Sequence, residues 1–373
     1  VTRGAKEHHQ PLDTAWKRSF RQRLLKWYGK HARDLPWRQA EGLASDPYAV
    51  WVSEVMLQQT QVETVRSYFK RFLEAFPTVA DLAAADEQDV LRLWEGLGYY
   101  RRARSLHAAA KQVVEDHGGQ MPRDVETLLT LSGIGRYTAG AIVSIAYDKP
   151  APILEANTIR LFTRLVAYDG KPTSAAGQRR LWGVAEEVLP KKGVARFNQA
   201  LMELGSLVCT PTNPKCNECP VEKLCKARAE GLIDKLGPTT TKLKFTDARE
   251  AAVVVRKGNQ VLLRQCAESE RWAGLWDFPR FELKAEGPLF AAEELANKVR
   301  SQTGIACDPG GLITTIKHGV TRFRITLECY EAVHTGGRLK KPAKWIKPSE
   351  LSDLPLSVTG RKLAKLLHSH RSG

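Results

Sequence analysis

No run of eighteen apolar residues occurs in this 373-residue sequence, which excludes a segment able to cross a bilayer as a single helix. The opening residues, Val1 to Thr14, lack the apolar centre of a secretory signal. The expectation is a soluble, unsecreted protein of the bacterial cytoplasm, associated with the nucleoid. Cysteine is scarce at seven residues, yet four of them fall between Cys209 and Cys225, a density that points to a metal site in a reducing compartment and away from a disulfide framework. Acidic charge is in deficit, 41 Asp and Glu against 57 Lys and Arg, and the formal +16 suits a polyanionic partner. RNA would share that attraction, but no recognisable RNA-binding motif is present. What the sequence does have in ordinary measure is core: 43% hydrophobic residues over this length suffice for two domains, each with its own interior.

The chain is organised around residues 128–160. Leu131-Ser132-Gly133-Ile134-Gly135-Arg136-Tyr137-Thr138-Ala139-Gly140 sets a Gly-x-Gly hairpin between two apolar helical segments. Glycines there permit positive φ and leave backbone N–H groups uncovered at a helix N-terminus, where a DNA phosphate would fit. Gly133, Gly135 and Arg136 are the candidate contacts. A plain helix–helix connection would look the same locally, so the context matters. A Pro-bounded loop follows, Lys149-Pro150-Ala151-Pro152-Ile153-Leu154-Glu155-Ala156-Asn157, and it brings in a carboxylate twenty residues after Gly135.

Taken from the start, Trp16 to Tyr28 reads as a helix with Trp16, Phe20, Leu24, Leu25 and Tyr28 on one face. Arg33-Asp34-Leu35-Pro36-Trp37-Arg38 is a stiff, basic loop whose Trp37 either stacks on a base or caps the core. Asp46-Pro47 gives an N-cap with Pro at the first helical position. The helix it starts has a buried stripe of Trp51, Val55, Val62, Val65, Phe69 and Phe72, with Glu54, Gln58 and Gln61 together on a neighbouring face. A carboxylate against such apolar surroundings is desolvated, which raises its pKa toward the range of a general acid. Further helices are expected at 80–95, 100–118, 123–131 and 137–147, with Gly96-Leu97-Gly98-Tyr99-Tyr100 as a turn bearing two aromatics and Arg101, Arg102 and Arg104 after it. Such interleaving suits a surface that touches backbone and wedges a base step, or tyrosines turned into the core.

Cys209-x6-Cys216-x2-Cys219-x5-Cys225 supplies four thiolates for one centre, zinc or iron–sulfur; the single close pair favours a cluster over a zinc ribbon. Lys215, Lys223, Lys226 and Arg228 surround it. Residues 229–249 turn to Gly, Pro, Thr and Lys and read as a linker. Beyond it the period becomes that of strands: Ala251 to Arg256, a turn at Gly258-Asn259, Gln260 to Arg264, and Val320 to Glu331, with helices at Phe290 to Thr303 and Arg361 to His368.

With these motifs in order, the chain closely resembles the MutY-type adenine DNA glycosylases of the helix-hairpin-helix superfamily. The match runs through Leu35-Pro36-Trp37-Arg38, Val52 to Thr60, Gly96 to Tyr100, the hairpin, Phe197-Asn198-Gln199-Ala200 and the cysteine spacing. The fold this implies is multidomain: a polar tail (1–14), a mainly α helix-hairpin-helix glycosylase domain (15–228) with an iron–sulfur loop at 209–225, a linker (229–249) and an α+β Nudix-like domain (250–373). The resemblance implies a monomeric enzyme that needs no membrane and removes adenine paired with 8-oxoguanine or guanine in double-stranded DNA, after flipping the base from the stack. Glu54 matches the general acid that protonates adenine at N7; Tyr137 matches a tyrosine near two carboxylates; Asn157 and Glu155 match the loop that stabilises the sugar cation. Related lyases carry a Schiff-base Lys where Tyr137 stands, which implies a monofunctional hydrolase. Arg33, Trp37 and Arg38 match the base pocket, Gln59 and Tyr99 the duplex wedge, and Cys209, Cys216, Cys219 and Cys225 the ligands of a 4Fe-4S cluster, while Gln58 is a further candidate DNA contact.

The sequence departs from the family at three places. Glu155-Ala156-Asn157 stands where Asp-Gly-Asn is usual, so a methylene is added and a glycine lost; a shift of about 1 Å is costly in catalysis. Glu155 either fills the role with an adjusted backbone or leaves a lesion-binding protein with weakened catalysis. The Arg-Glu…Glu-Glu positions of a true Nudix cassette are occupied by Asn297, Lys298, Ser301 and Gln302, which leaves recognition without pyrophosphohydrolysis. The Phe-Ser-His sensing turn aligns with Val320-Thr321-Arg322, so His318, Thr321 and Arg322 are the candidate lesion contacts. An endonuclease III-like lyase is the rival enzyme, and it would need a Lys in place of Tyr137.

Overall fold

The computed structural model describes residues 11–38, 45–236, 245–284 and 288–369. Most of the expected tail and residues 237–244 of the expected linker lie outside them. Fourteen helices are described: α1 (Thr14–His31), α2 (Pro47–Leu57), α3 (Val62–Ala75), α4 (Val79–Ala84), α5 (Glu87–Leu93), α6 (Arg101–His117), α7 (Val125–Leu128), α8 (Arg136–Tyr147), α9 (Ala156–Leu165), α10 (Ala175–Val188), α11 (Val194–Leu207), α12 (Lys226–Ala229), α13 (Pro288–Thr303) and α14 (Val358–Ser369). Seven strands follow α12: β1 (Thr246–Lys257), β2 (Gln260–Gln265), β3 (Trp276–Asp277), β4 (Arg280–Glu282), β5 (Ile305–Val320), β6 (Phe323–Gly337) and β7 (Ala343–Ile346). They fall into two compact units that do not follow the chain linearly: Val1–Ala83 with Ala108–Thr239, and Ala84–His107 with Thr240–Gly373.

The first unit is helical. Phe20, Leu24, Trp27 and Tyr28 of α1 pack with Leu161, Phe162 and Leu165 of α9, Trp182 and Val188 of α10 and Phe197, Leu201 and Leu204 of α11. The α2 start is as its sequence predicts, with the Asp46 carboxylate accepting from the N–H groups of Tyr48 and Ala49 and Pro47 in the first turn. The expected continuous helix through Phe72 is instead broken: α2 ends at Leu57, Gln59 takes φ 59° and α3 begins at Val62. A non-glycine residue in the left-handed region turns the chain sharply. Both pieces still bury their stripe, Trp51 and Val55 on one and Val65, Phe69 and Phe72 on the other. Likewise the helix expected at 80–95 is two, because the Asp86 side chain accepts from Gln88 N and starts α5 anew.

In the second unit the strands form one mixed sheet of order β3-β2-β1-β6-β5, with β4 paired to β1 and β7 to β2; only the β1–β6 pairing is parallel among these. β1 is buried on both faces: Ala252 and Val254 join one core with Leu363 and Leu367 of α14, while Ala251, Val253 and Val255 join the other with Leu295 and Val299 of α13. That is the period-two placement of a strand between two helical layers. The strand expected over Val320 to Glu331 is found as β6, which begins at Phe323, and its antiparallel partner β5 was not expected. Thr321 takes φ 51° and turns β5 into β6.

Two close approaches fix the loop that carries Glu155. A Cβ on Gly140 of α8 would lie 2.3 Å from the Pro152 carbonyl oxygen, and one on Gly205 of α11 would lie 2.7 Å from Asn157 Cβ. Neither neighbour is a flexible side-chain end. The side chain of Asn198 adds a hydrogen bond of 2.9 Å to the Ala151 carbonyl, and holds the loop from the other side. Gly183, within α10, meets nothing within 4 Å. Urea unfolding is therefore expected to show Gly205→Ala destabilised by about 1–3 kcal/mol, as for an overpacked interior. Gly183→Ala should be stabilised by about 0.5–1 kcal/mol through helix propensity alone.

Candidate active site

A cavity of about 760 Å³ opens in the helical unit, lined by α2 and the α2–α3 turn, by Tyr137 of α8, by Glu155, Ala156 and Asn157, and by Gln199, Met202 and Glu203 of α11. Two of the carboxylates that line it, Glu54 and Glu155, have different surroundings. Glu54, on α2, is 5% exposed, and Tyr137 Oη donates to its Oε2 at 2.5 Å. Burial raises its pKa to about 7; the charge of Glu155 adds to the rise, and the Tyr137 hydrogen bond and Arg38 oppose it. The same burial holds the Tyr137 hydroxyl well above its ordinary pKa, so it acts as a donor.

Glu155 is the N-cap of α9. Its Oε1 accepts from Thr158 N at 2.9 Å, and its Oε2 accepts from Asn157 N at 2.9 Å and Asn157 Nδ2 at 3.1 Å. Thr158 Oγ1 accepts in return from Glu155 N at 2.8 Å, completing a capping box. N-caps are usually Asp, Asn, Ser or Thr, whose short side chains reach the second and third N–H groups. The added methylene of Glu is taken up by folding the carboxylate back over the helix end. Ala156 is the first residue of α9 and has no positive φ, so the lost glycine freedom is not needed here. Burial raises the pKa of Glu155, while the Asn157 and Thr158 donors and Arg160 favour its charged form.

α9 then runs from the cavity to the cysteines. Arg160, 5% exposed, donates from Nη2 to Asn157 Oδ1 at 2.9 Å and to the Gly205 carbonyl at 2.6 Å, and from Nε to the Cys209 carbonyl at 2.6 Å. One turn on, buried Arg164 donates to Cys209 Sγ at 3.4 Å and to the Thr210 and Leu236 carbonyls at 2.8 and 2.7 Å. Cys209, Cys216, Cys219 and Cys225 line one small cavity with Arg164 and Arg228. Among the described residues, no group of three or more His, Cys, Asp or Glu is drawn together closely enough to hold one metal ion.

The other predicted positions divide sharply. Gln58 and Gln59 line the cavity from the α2–α3 turn. They are off the helix that carries Glu54, so the shared helical face expected for Glu54, Gln58 and Gln61 does not form. Trp37 is 7% exposed, edge-on to Phe69, and also lines the cavity. Arg33 and Arg38 converge on Glu203: Arg33 Nε lies 2.9 Å from Oε2 and Arg38 Nη2 lies 2.8 Å from Oε1, and the Glu203 side chain is wholly buried. Glu203 was not singled out from sequence, although an acidic residue inside the apolar run Ala200-Leu201-Met202-Glu203-Leu204 is such a signal. Arg160 was missed for the same reason in α9.

Gly133 takes φ 74°, but Gly135 is extended at φ −96° and caps α8 with no side-chain partner. Arg136 is exposed, 3.8 Å above the Trp182 ring and paired with Glu186. In the second unit Tyr99 is half exposed at φ 48°, with Arg102 5.5 Å from its ring. Arg102 donates to the Leu97 and Gly98 carbonyls rather than standing free. Thr321 and Arg322 form the exposed β5–β6 turn. His318 faces inward: Arg280 Nη2 lies 3.0 Å from its Nε2, and burial with that neighbouring charge lowers its pKa to about 4. It is neutral at physiological pH, with the free proton on Nδ1.

Comparison with known proteins gives two family matches in chain order, the first of which includes the 84–107 segment that the structure groups with the C-terminal unit. Residues 52–187 match the HhH-GPD superfamily of base excision DNA repair proteins, and residues 251–366 match the NUDIX domain. The adenine DNA glycosylase of Rattus norvegicus is 35% identical over 98% of this chain and 81% of its own length. That of Buchnera aphidicola subsp. Schizaphis graminum is 38% identical over 71% of this chain and 76% of its own. Among solved structures, a thermostable thymine-DNA glycosylase superposes with a TM-score of 0.52 at 28% identity, covering 58% of this chain and 98% of that one.

Removing the Tyr137 hydroxyl takes away a hydrogen bond to the charged form of Glu54. The carboxyl carbon of Glu54, followed by NMR, is expected to titrate near pH 7, and Tyr137→Phe should move that midpoint upward. A midpoint near 4.5 in the parent protein would show that Glu54 is solvated.

Proposed function

The chain belongs to the adenine DNA glycosylases, a helix-hairpin-helix family of base-excision repair enzymes, and from that premise we propose that it hydrolyses the N-glycosidic bond of adenine opposite 8-oxoguanine or guanine in duplex DNA. The observation that carries this reading is the pair of unlike carboxylates on one cavity, Glu54 with a single hydroxyl donor and a pKa near 7, and Glu155 with three N–H donors at a helix end. Groups whose surroundings push their ionisation apart are how an acid and a counter-charge coexist at neutral pH.

In this proposal the flipped adenosine enters the cavity, and Glu54 gives its proton to adenine N7, so that the base leaves as a neutral molecule. As the glycosidic bond breaks, positive charge grows on the sugar, and the Glu155 carboxylate, held by α9, stabilises it. Water completes the hydrolysis. With Tyr137 at the position where lyases carry Lys, no amine is present there to form a Schiff base. Trp37, Arg38 and Glu203 shape the pocket for the base; Gln59 and Tyr99 enter the duplex; the Gly133–Arg136 turn offers uncapped N–H groups to a phosphate. The C-terminal half reads the opposite base through the exposed Thr321–Arg322 turn. Its α13 has no cassette carboxylates, and Gln302 there donates to the Arg280 carbonyl at 3.0 Å.

We also propose that the four cysteines hold a 4Fe-4S cluster. The four thiols line one cavity, as the ligands of a single cluster must, and the buried Arg164 guanidinium, 3.4 Å from Cys209 Sγ, complements the negative charge of such a ligand set. Bound there, the cluster would brace the 209–225 loop against α9. Anaerobically purified protein should contain about four irons per chain, and Cys219→Ser should lose them; stoichiometric zinc with no iron would overturn the assignment.

The enzymatic proposal is tested by single-turnover adenine release from duplexes with adenine opposite 8-oxoguanine, guanine and thymine. Release from the first two, with strand breaks only after alkali, is expected. Glu155→Gln should lower the rate by about 10³-fold or more, as removal of a charge-stabilising group does. Tight binding without release by the parent protein would instead identify a lesion binder.

A further inference from the structure

The segment Ala84–His107 belongs by sequence to the helical half, yet it is part of the compact unit of the C-terminal sheet. Its attachment there is specific. Arg361 of α14 grips Glu95 with two parallel bonds, Nε to Oε1 and Nη2 to Oε2, each 2.8 Å. The same guanidinium donates to the Leu351 and Leu354 carbonyls at 2.6 Å, and Leu356 N donates to Glu95 Oε2 at 3.3 Å. Nearby, Trp276 Nε1 donates to Gln88 Oε1 at 2.9 Å and Gln88 Nε2 to the Gly274 carbonyl at 3.2 Å. Arg104 pairs with Glu268. A left-handed Gly274 sits against Leu91 of α5.

Directly after Glu95 comes the Gly96–Tyr100 turn, and that turn is stiff. Trp94 Nε1 donates to the Gly98 carbonyl, Gly96 N to Tyr100 Oη, and Arg102 to the Leu97 and Gly98 carbonyls. Gly96, Gly98 and Tyr99 all take positive φ. A displacement of Glu95 is therefore passed to Tyr99 rather than absorbed within the turn. A partly buried bidentate Arg–carboxylate pair has the orientation that a flexible single contact lacks.

We propose that Glu95 and Arg361 are positioning residues for selectivity: their ion pair ties the Tyr99 turn to the sheet unit, so that contact of that unit with the base opposite adenine sets how Tyr99 enters the duplex. This rests on the reading that the C-terminal half senses 8-oxoguanine. The test compares single-turnover adenine release opposite 8-oxoguanine and opposite guanine for the full-length parent, Glu95→Gln, Arg361→Gln, Arg361→Lys and the swap Glu95→Arg/Arg361→Glu. Both Gln variants should lose about tenfold of the parent's preference for 8-oxoguanine, the scale of ordinary coupling between sites, with release opposite guanine unchanged. Arg361→Lys and the swap should recover part of it. Melting temperature identifies any variant that fails to fold, and Glu95→Gln, which leaves Arg361 its two carbonyl partners, carries the test in that case. An unchanged preference in folded Glu95→Gln, or equal losses on both duplexes, overturns the coupling. A parent with no preference overturns both the sensing reading and the coupling built on it.

Discussion

The N-terminus of α9 is the constraint from which the site follows. Three N–H donors converge on the Glu155 carboxylate, two from backbone and one from Asn157, and the helix partial charge adds to their effect. These donors oppose the burial that raises the pKa of Glu155, and they hold the carboxylate in place. The helix is in turn fixed at both ends. Asn157 touches Gly205 of α11, and Arg160 links Asn157 to the Cys209 carbonyl. The cysteine loop is thus tied by two buried arginines to the helix whose first turn presents Glu155, which gives that loop a mechanical reason to matter at the cavity.

Glu54 is shaped by the opposite treatment. It sits on an apolar helix, with one hydroxyl donor against the desolvation of full burial, and the nearby charge of Glu155 makes its own ionisation harder still. Arg38, whose charge opposes that rise in pKa, is itself paired with buried Glu203 together with Arg33.

Much of this was legible in the sequence, and the failures have physical causes. Glu54, Tyr137, Glu155 and Asn157 could be placed because long motifs bracket them, and all four line one cavity. The α2–α3 break was not legible, since an apolar stripe at helical spacing continues through it and only the left-handed Gln59 marks it. The hairpin at Thr321 was hidden in the same way by continuous strand-forming residues on both sides. Gly135 was expected to use its conformational freedom and does not, whereas the consequential glycines, Gly140 and Gly205, are helical ones needed for close approach. Spacing cannot show that distinction. Nor could it show that residues 84–107 join the C-terminal sheet, because that depends on partners more than 160 positions away.

The account stands or falls on the division of protonation between Glu54 and Glu155, and the pH dependence of single-turnover adenine release reads it directly. Glu54 acts as an acid with a pKa near 7, so the rate constant should fall tenfold per pH unit above about that value. It should also fall on the acid side as Glu155, whose pKa is raised from the usual carboxylate value, takes up a proton. The predicted profile is a bell with its alkaline limb near neutrality, and Tyr137→Phe should move that limb to higher pH. A rate that is flat from pH 6 to 9, or that rises with pH, would contradict the account, because neither is possible if a protonated Glu54 delivers the proton.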